Sequence, residues 1–141
     1  MDEAALIRHN IRLVREFGES LPQITVDRHK VVQILVNLIR NAKHACNDAH
    51  RPDKQMVLRV NNGDGRIKFS VSDNGVGIPP ENLTRIFSHG FTTRRDGHGF
   101  GLHSGALAAK EMGGELRVLS EGANKGATFI LELPLQPPAS T

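Results

Sequence analysis

From Arg28 to Ala49 the chain runs for about six helical turns without a glycine or proline, and no other stretch is so committed to one conformation. Its apolar residues fall at Val31, Ile34, Leu35, Leu38, Ala42, Ala45 and Ala49, the three-and-four spacing of an amphipathic helix. Asp27, directly before it, can cap the first free amides. A helix this long with one apolar stripe must lay that stripe on another layer. Its surroundings are β-like. Asn10 to Phe17 alternates as a strand, Gly18 to Pro22 is a turn, and Ile24 to Val26 is a brief β-branched stretch. Met56–Val60 and Ile67–Val71 alternate around Asn62-Gly63-Asp64-Gly65, a hairpin signal. Leu116–Ser120 and Thr128–Leu133 form a second hairpin around Gly122 to Gly126. Pro79 to about Ser88 reads as a short helix, and a further helix stops at Met112 before Gly113-Gly114. The order strand, helix, hairpin, short helix, loop, helix, hairpin predicts an α+β two-layer sandwich.

Composition bounds this further. A length of 141 residues favours one domain, and 38% hydrophobic with 23% charged residues is ordinary for a soluble globular chain. No apolar run approaches the roughly 20 residues that span a bilayer. Met1-Asp2-Glu3-Ala4 does not open like a signal peptide, and Asp2 to His9 reads as a short helical piece. The single Cys46 has no partner for an internal disulfide, so a reducing, cytoplasmic setting is expected. With no Trp or Tyr, and six Phe not interleaved with basic residues, a base-stacking platform is not supported and no nucleic-acid partner is expected. Residues 10–134 are read as the domain and the Pro-rich 135–141 as a flexible tail.

Four motifs carry chemistry. On the long helix, Gln33, Asn37, Asn41 and His44 are spaced by four, four and three and so share a face away from the apolar stripe. An Asn carbonyl suits a hard Mg2+ ion, and His44 could donate to phosphate, although a solvated polar face has the same pattern. Asp73-Asn74-Gly75-Val76-Gly77-Ile78 follows a strand. Asp73 could accept from an exocyclic amine such as adenine N6, and Gly75 and Gly77 would let the backbone approach a flat ring, although Asn-Gly is also plain turn chemistry. Gly97-His98-Gly99-Phe100-Gly101-Leu102 precedes a helix, so its amides could cradle phosphate. It lacks the lysine of a P-loop and no βαβ unit surrounds it. Gly126-Ala127-Thr128 opens the last strand and is weak evidence alone.

Together and in this order, the motifs resemble the N, G1, G2 and G3 boxes of the superfamily of histidine kinases, gyrase, Hsp90 and MutL. Glu81 to Arg94, with Ile86-Phe87 and Phe91-Thr92-Thr93-Arg94, resembles the F box of histidine kinases. The resemblance runs from about Asn10 to Leu133 and implies the Bergerat ATP-binding fold, a mixed, mostly antiparallel sheet covered on one face by helices. It implies that Asp73 holds the adenine amine, with Gly75, Gly77, Ile78 and Thr128 assisting, the threonine through water. It implies too that Asn41 would bind Mg2+, with Asn37 in the same site. By the same resemblance residues 89–101 would form an ATP lid, with Phe87, Thr92, Thr93, Arg94, Gly97, His98 and Phe100 beside the nucleotide and the amides of Gly99, Gly101 and Leu102 on phosphates.

Relatives that hydrolyse ATP carry a glutamate four residues before the Mg2+ asparagine. Here that position is Asn37, an amide without basicity near neutral pH, which favours a histidine kinase over the hydrolysing types and over anti-sigma serine kinases. The alternatives kept are a nucleotide-binding regulatory module and an anti-sigma-type serine kinase of the same superfamily. None of the seven histidines sits in a phosphoacceptor context. His9 reads as part of a connecting helix at 1–9, and the acceptor is expected on a dimerisation domain absent from this chain. The implied partners are that dimerisation and histidine-phosphotransfer domain and, indirectly, a response regulator receiver. The chain itself is expected to be monomeric, with membrane attachment of the parent protein left open.

Overall fold

A computed structural model describes residues 11–18, 26–49, 51–87 and 100–135. Its elements in chain order are β1 (Arg12–Phe17), α1 (Arg28–Asp48), β2 (Gln55–Gly63), β3 (Arg66–Asp73), α2 (Pro80–Leu83), α3 (Phe100–Glu111), β4 (Glu115–Leu119) and β5 (Ala127–Pro134). The five strands form one sheet in the order β1-β2-β3-β5-β4. β1 pairs parallel with β2, and every other pair is antiparallel. The parallel pair needs a crossover between its strands, and α1 supplies it.

α1 begins after Asp27, which is still extended and whose side chain accepts the Lys30 amide at 3.2 Å. Its buried residues are Val31, Ile34, Leu38, Ala42 and Cys46. Cys46, rather than Ala45 or Ala49, completes the stripe, because Ala45 turns toward the loop after β3. β2 and β3 meet through Asp64 and Gly65, both at positive φ (56° and 74°), the geometry of a two-residue hairpin turn. In β5 burial alternates: Ala127, Phe129, Leu131 and Leu133 face the helices, while Thr128, Ile130 and Glu132 face away. Leu38 and Leu131, each 1% exposed or less, lie in the core between the two layers.

α3 ends in a paired cap: the Gly114 amide reaches the Ala109 carbonyl at 2.8 Å and the Gly113 amide reaches Lys110 at 3.0 Å, with Gly113 at φ 82°. The short helix after β3 covers only Pro80–Leu83, less than the span expected to Ser88. Pro79 offers no side-chain cap, and residues 84–87 continue as turns. β5 runs through Pro134, and the Leu135 amide donates to Gly65 at 3.1 Å, so the segment expected to fray from 135 is anchored at its first residue. Residues 1–9, most of the loop 89–101 and the tail from 136 lie outside the described residues.

Candidate functional site

Asp73 is the last residue of β3 and faces the helix layer, with Val71 and Ile67 on the same side of the strand. Its Oδ1 accepts the Gly75 amide at 2.8 Å. Burial pushes its carboxyl up from the ordinary 3.8 to about 6, and the Gly75 and Ala127 amides pull it partly back. A carboxylate has about four acceptor positions, so two amides leave room for a ligand amine. A desolvated acceptor in the helix–sheet layer is poised for hydrogen bonding to a donor that water does not dilute.

The loop after Asp73 is fastened on three sides. Toward α1, the Val76 amide donates to the Ala45 carbonyl at 3.2 Å. Toward the start of β2, the Asn74 side chain accepts the Gln55 amide at 2.8 Å and donates to the Asp53 carbonyl at 2.7 Å, while Arg51 donates to the Asn74 carbonyl at 3.0 Å. Toward the β4–β5 turn, Asn124 donates to Val76 at 2.6 Å and Gly126 to Gly75 at 3.3 Å. Because the loop lands on Ala45, Asn41 lies one helical turn away on that face of α1, with Asn37 one turn further and His44 alongside. All three side chains are partly exposed. The structure thus brings the Asp73 loop and the polar face of α1 to one place.

Several of these residues also have structural roles. A Cβ on Gly75 would strike the Ala45 backbone, and one on Gly77, at φ 74°, would strike the Gly122 carbonyl. Their missing side chains therefore make room for protein backbone. Thr128 does not stand beside Asp73. The register pairs Asp73 with Ala127 and Ser72 with Thr128, and the Thr128 and Ser72 hydroxyls lie 2.8 Å apart on the opposite face of the sheet. Adjacent strand residues alternate faces, so a threonine one position too late cannot assist the carboxylate. Phe87 packs its ring edge-on against Phe129 at 6.3 Å, a core contact. Ile78 is 8% exposed, and its amide is spent on Ser120. Leu102 packs against the core from the first turn of α3. Phe100 and Gly101 open that helix, and Thr92, Thr93, Arg94, Gly97, His98 and Gly99 lie outside the described residues. Asn74, Arg51 and Ser120, none singled out from sequence, hold the loop. Asn followed by Gly and Ser near paired glycines are the signals that could have found the first and last.

Cys46 lies under this loop, fully buried, its Sγ 3.6 Å from the Gln55 carbonyl. Burial, with Asp73 nearby, pushes its thiol up to about 11. Alkylation of the native protein by iodoacetamide at pH 8 is expected to run at least about a hundredfold slower than in urea, since both thiolate fraction and access are reduced. Equal rates, followed by mass spectrometry, would show that the loop does not seal this part of the core.

The sequence from 26 to 137 matches the model of the family described as histidine kinase-, DNA gyrase B-, and HSP90-like ATPase. The sensory histidine kinase/phosphatase NtrB of Rhizobium leguminosarum bv. phaseoli is 32% identical over 146 residues, covering 93% of this chain and 37% of the relative. The sensor histidine kinase ZraS of Salmonella typhimurium is 38% identical over 119 residues, covering 84% and 24%. The chain therefore spans only 24% to 37% of the length of these curated relatives. Among solved structures, the catalytic domain of histidine kinase ThkA superposes with a TM-score of 0.83 at 28% identity, covering 96% of this chain and 86% of that one. With the family model matching well over half its length, the chain belongs to the histidine kinase-, DNA gyrase B-, and HSP90-like ATPase family.

Proposed function

We propose that the chain is the ATP-binding catalytic domain of a two-component sensor histidine kinase. The observation that carries this reading is a desolvated carboxylate, Asp73, at a strand end whose following loop is docked onto α1 one turn from Asn41. Asp73 accepts the adenine amine. Asn41, with Asn37 beside it, supplies amide oxygens to Mg2+, which when bound offsets phosphate charge. His44 donates to phosphate. The first amides of α3, which have no partner within the helix, face phosphate oxygens together with the residues from Thr92 to Gly99.

The reaction breaks the bond between the γ-phosphorus and the bridging oxygen of ADP and forms one to an imidazole nitrogen of a histidine on a dimerisation domain. The protein's part is positioning and charge placement, which is most of what phosphoryl transfer requires. Asn37 cannot deprotonate water, so the bound nucleotide is held for transfer rather than hydrolysed. A response regulator takes the phosphoryl group next, and the domain works as a cytoplasmic monomer joined to its dimerising partner.

The test is incubation of the chain with labelled ATP, Mg2+ and a separately produced dimerisation hairpin. Acid-labile label on the hairpin, with negligible turnover by the chain alone, is expected. Steady hydrolysis by the chain alone that disappears in Asn37→Ala would sink the kinase reading, and acid-stable label would redirect it to a serine kinase.

A further inference from the structure

The hydroxyl of Ser120, one residue beyond β4, stands where three segments meet. It accepts the Ile78 amide at 3.1 Å and the Gly122 amide at 3.3 Å, and donates its one proton to the Gly126 carbonyl at 2.7 Å. A serine hydroxyl has one donor and two lone pairs, so these bonds use its whole capacity. The other ties between the Asp73 loop and the β4–β5 turn, Asn124 to Val76 and Gly126 to Gly75, are backbone to backbone and depend only on the chain's path. Ser120 is the side chain that sets how far apart the two segments lie. It also satisfies an amide, that of Ile78, in a stretch with no ladder partner to take it.

We propose that Ser120 is a positioning residue for the nucleotide site. It holds the loop through Gly77 and Ile78 against the β4–β5 turn, and so fixes the angle at which Asp73 reads the purine edge. This rests on the nucleotide reading above. At C6 adenine presents an amine to a carboxylate, whereas guanine presents there a carbonyl oxygen that a carboxylate repels. Discrimination between the two therefore depends on the carboxylate being held still. Releasing Ser120 leaves the Ile78 and Gly122 amides and the Gly126 carbonyl without their partner and lets the loop shift to find others.

Calorimetric titration with ATP and with GTP compares wild type, Ser120→Ala, Ser120→Thr and Ile67→Val. The last trims the core at the far end of β3 and serves as a control for lost stability. Ser120→Ala is expected to weaken ATP about tenfold and to lower the ATP-to-GTP preference by a similar factor. Ser120→Thr, which keeps the hydroxyl, should restore both to within about threefold. Ile67→Val should lower the melting temperature and leave the preference unchanged. If Ser120→Ala does not fold, Ser120→Cys, with its weaker donor and acceptor, is read in the same way. A preference unchanged in Ser120→Ala, lost equally in Ser120→Thr, or shifted equally in Ile67→Val, overturns the proposal. Wild type that binds no ATP overturns the nucleotide reading and Ser120's role with it.

Discussion

Asp73→Asn is expected to lose ATP binding by at least about a hundredfold while becoming more stable than wild type above pH 6. The two effects have one cause. The folded carboxyl sits at about 6 against an ordinary 3.8, so between these values the folded state binds more protons than the unfolded state. Stability from this group is therefore fully present below about pH 4, falls as pH rises, and is gone above pH 6, where two amides only partly compensate the buried charge. The shift of about two units corresponds to at most about 3 kcal/mol, and partial exposure of the side chain trims that to about 1–2. An asparagine oxygen can still accept the Gly75 amide, so the loop survives, but the NH2 group then faces the adenine amine, donor against donor. Urea unfolding from pH 4 to 8 reads the first effect as loss of the wild-type slope. Nucleotide titration over the same range reads the second, with wild-type affinity declining as Asp73 protonates below about pH 6. A variant no more stable than wild type at pH 7.5 would mean that the carboxylate is better solvated than its burial indicates.

The parts of this molecule legible in the sequence are those whose cause is local. α1 announces itself because a cap, a period and the absence of breakers coincide over residues 27 to 49, and the β2–β3 hairpin because Asp64-Gly65 supplies two residues at positive φ. Asp73 at a strand end, the two glycines after it and the polar face of α1 were equally open to reading. What could not be read is pairing at a distance. Nothing near Ala127 says that β5 inserts between β3 and β4, and that insertion places Ala127 opposite Asp73 and sends Thr128 to the other face. The same limit hid Ser120, whose partners are 42, 2 and 6 residues away and belong to two different turns. The glycines show it most plainly. Gly75 and Gly77 look like openings for a ligand, but their bare faces are filled by α1 and by the β4–β5 turn.

That distinction yields the second large effect, a comparison of two glycines with nearly the same φ. Gly65 and Gly126 sit at φ 74° and 72°, so alanine at either adopts the left-handed region at a cost of about 1–2 kcal/mol. Around Gly65 a Cβ meets nothing within 4 Å, and the cost should end there. At Gly126 the Cβ would strike the Asp73 carbonyl, a backbone atom fixed by the β3–β5 ladder, so the start of β5 must move away from β3. Overpacking of this kind adds about 1–3 kcal/mol, giving a total of about 2–5 for Gly126→Ala. That is a large part of the 5–15 kcal/mol typical of a domain. The displacement would also pull the Ala127 amide from Asp73 and the Gly126 carbonyl from Ser120, so nucleotide affinity should fall with stability, which it should not do in Gly65→Ala. Urea midpoints at constant slope, with ATP titration of each variant, make the comparison. Equal losses in the two variants would mean that β5 yields without cost, and that the close approach of Gly126 to Asp73 is not what holds the carboxylate in place.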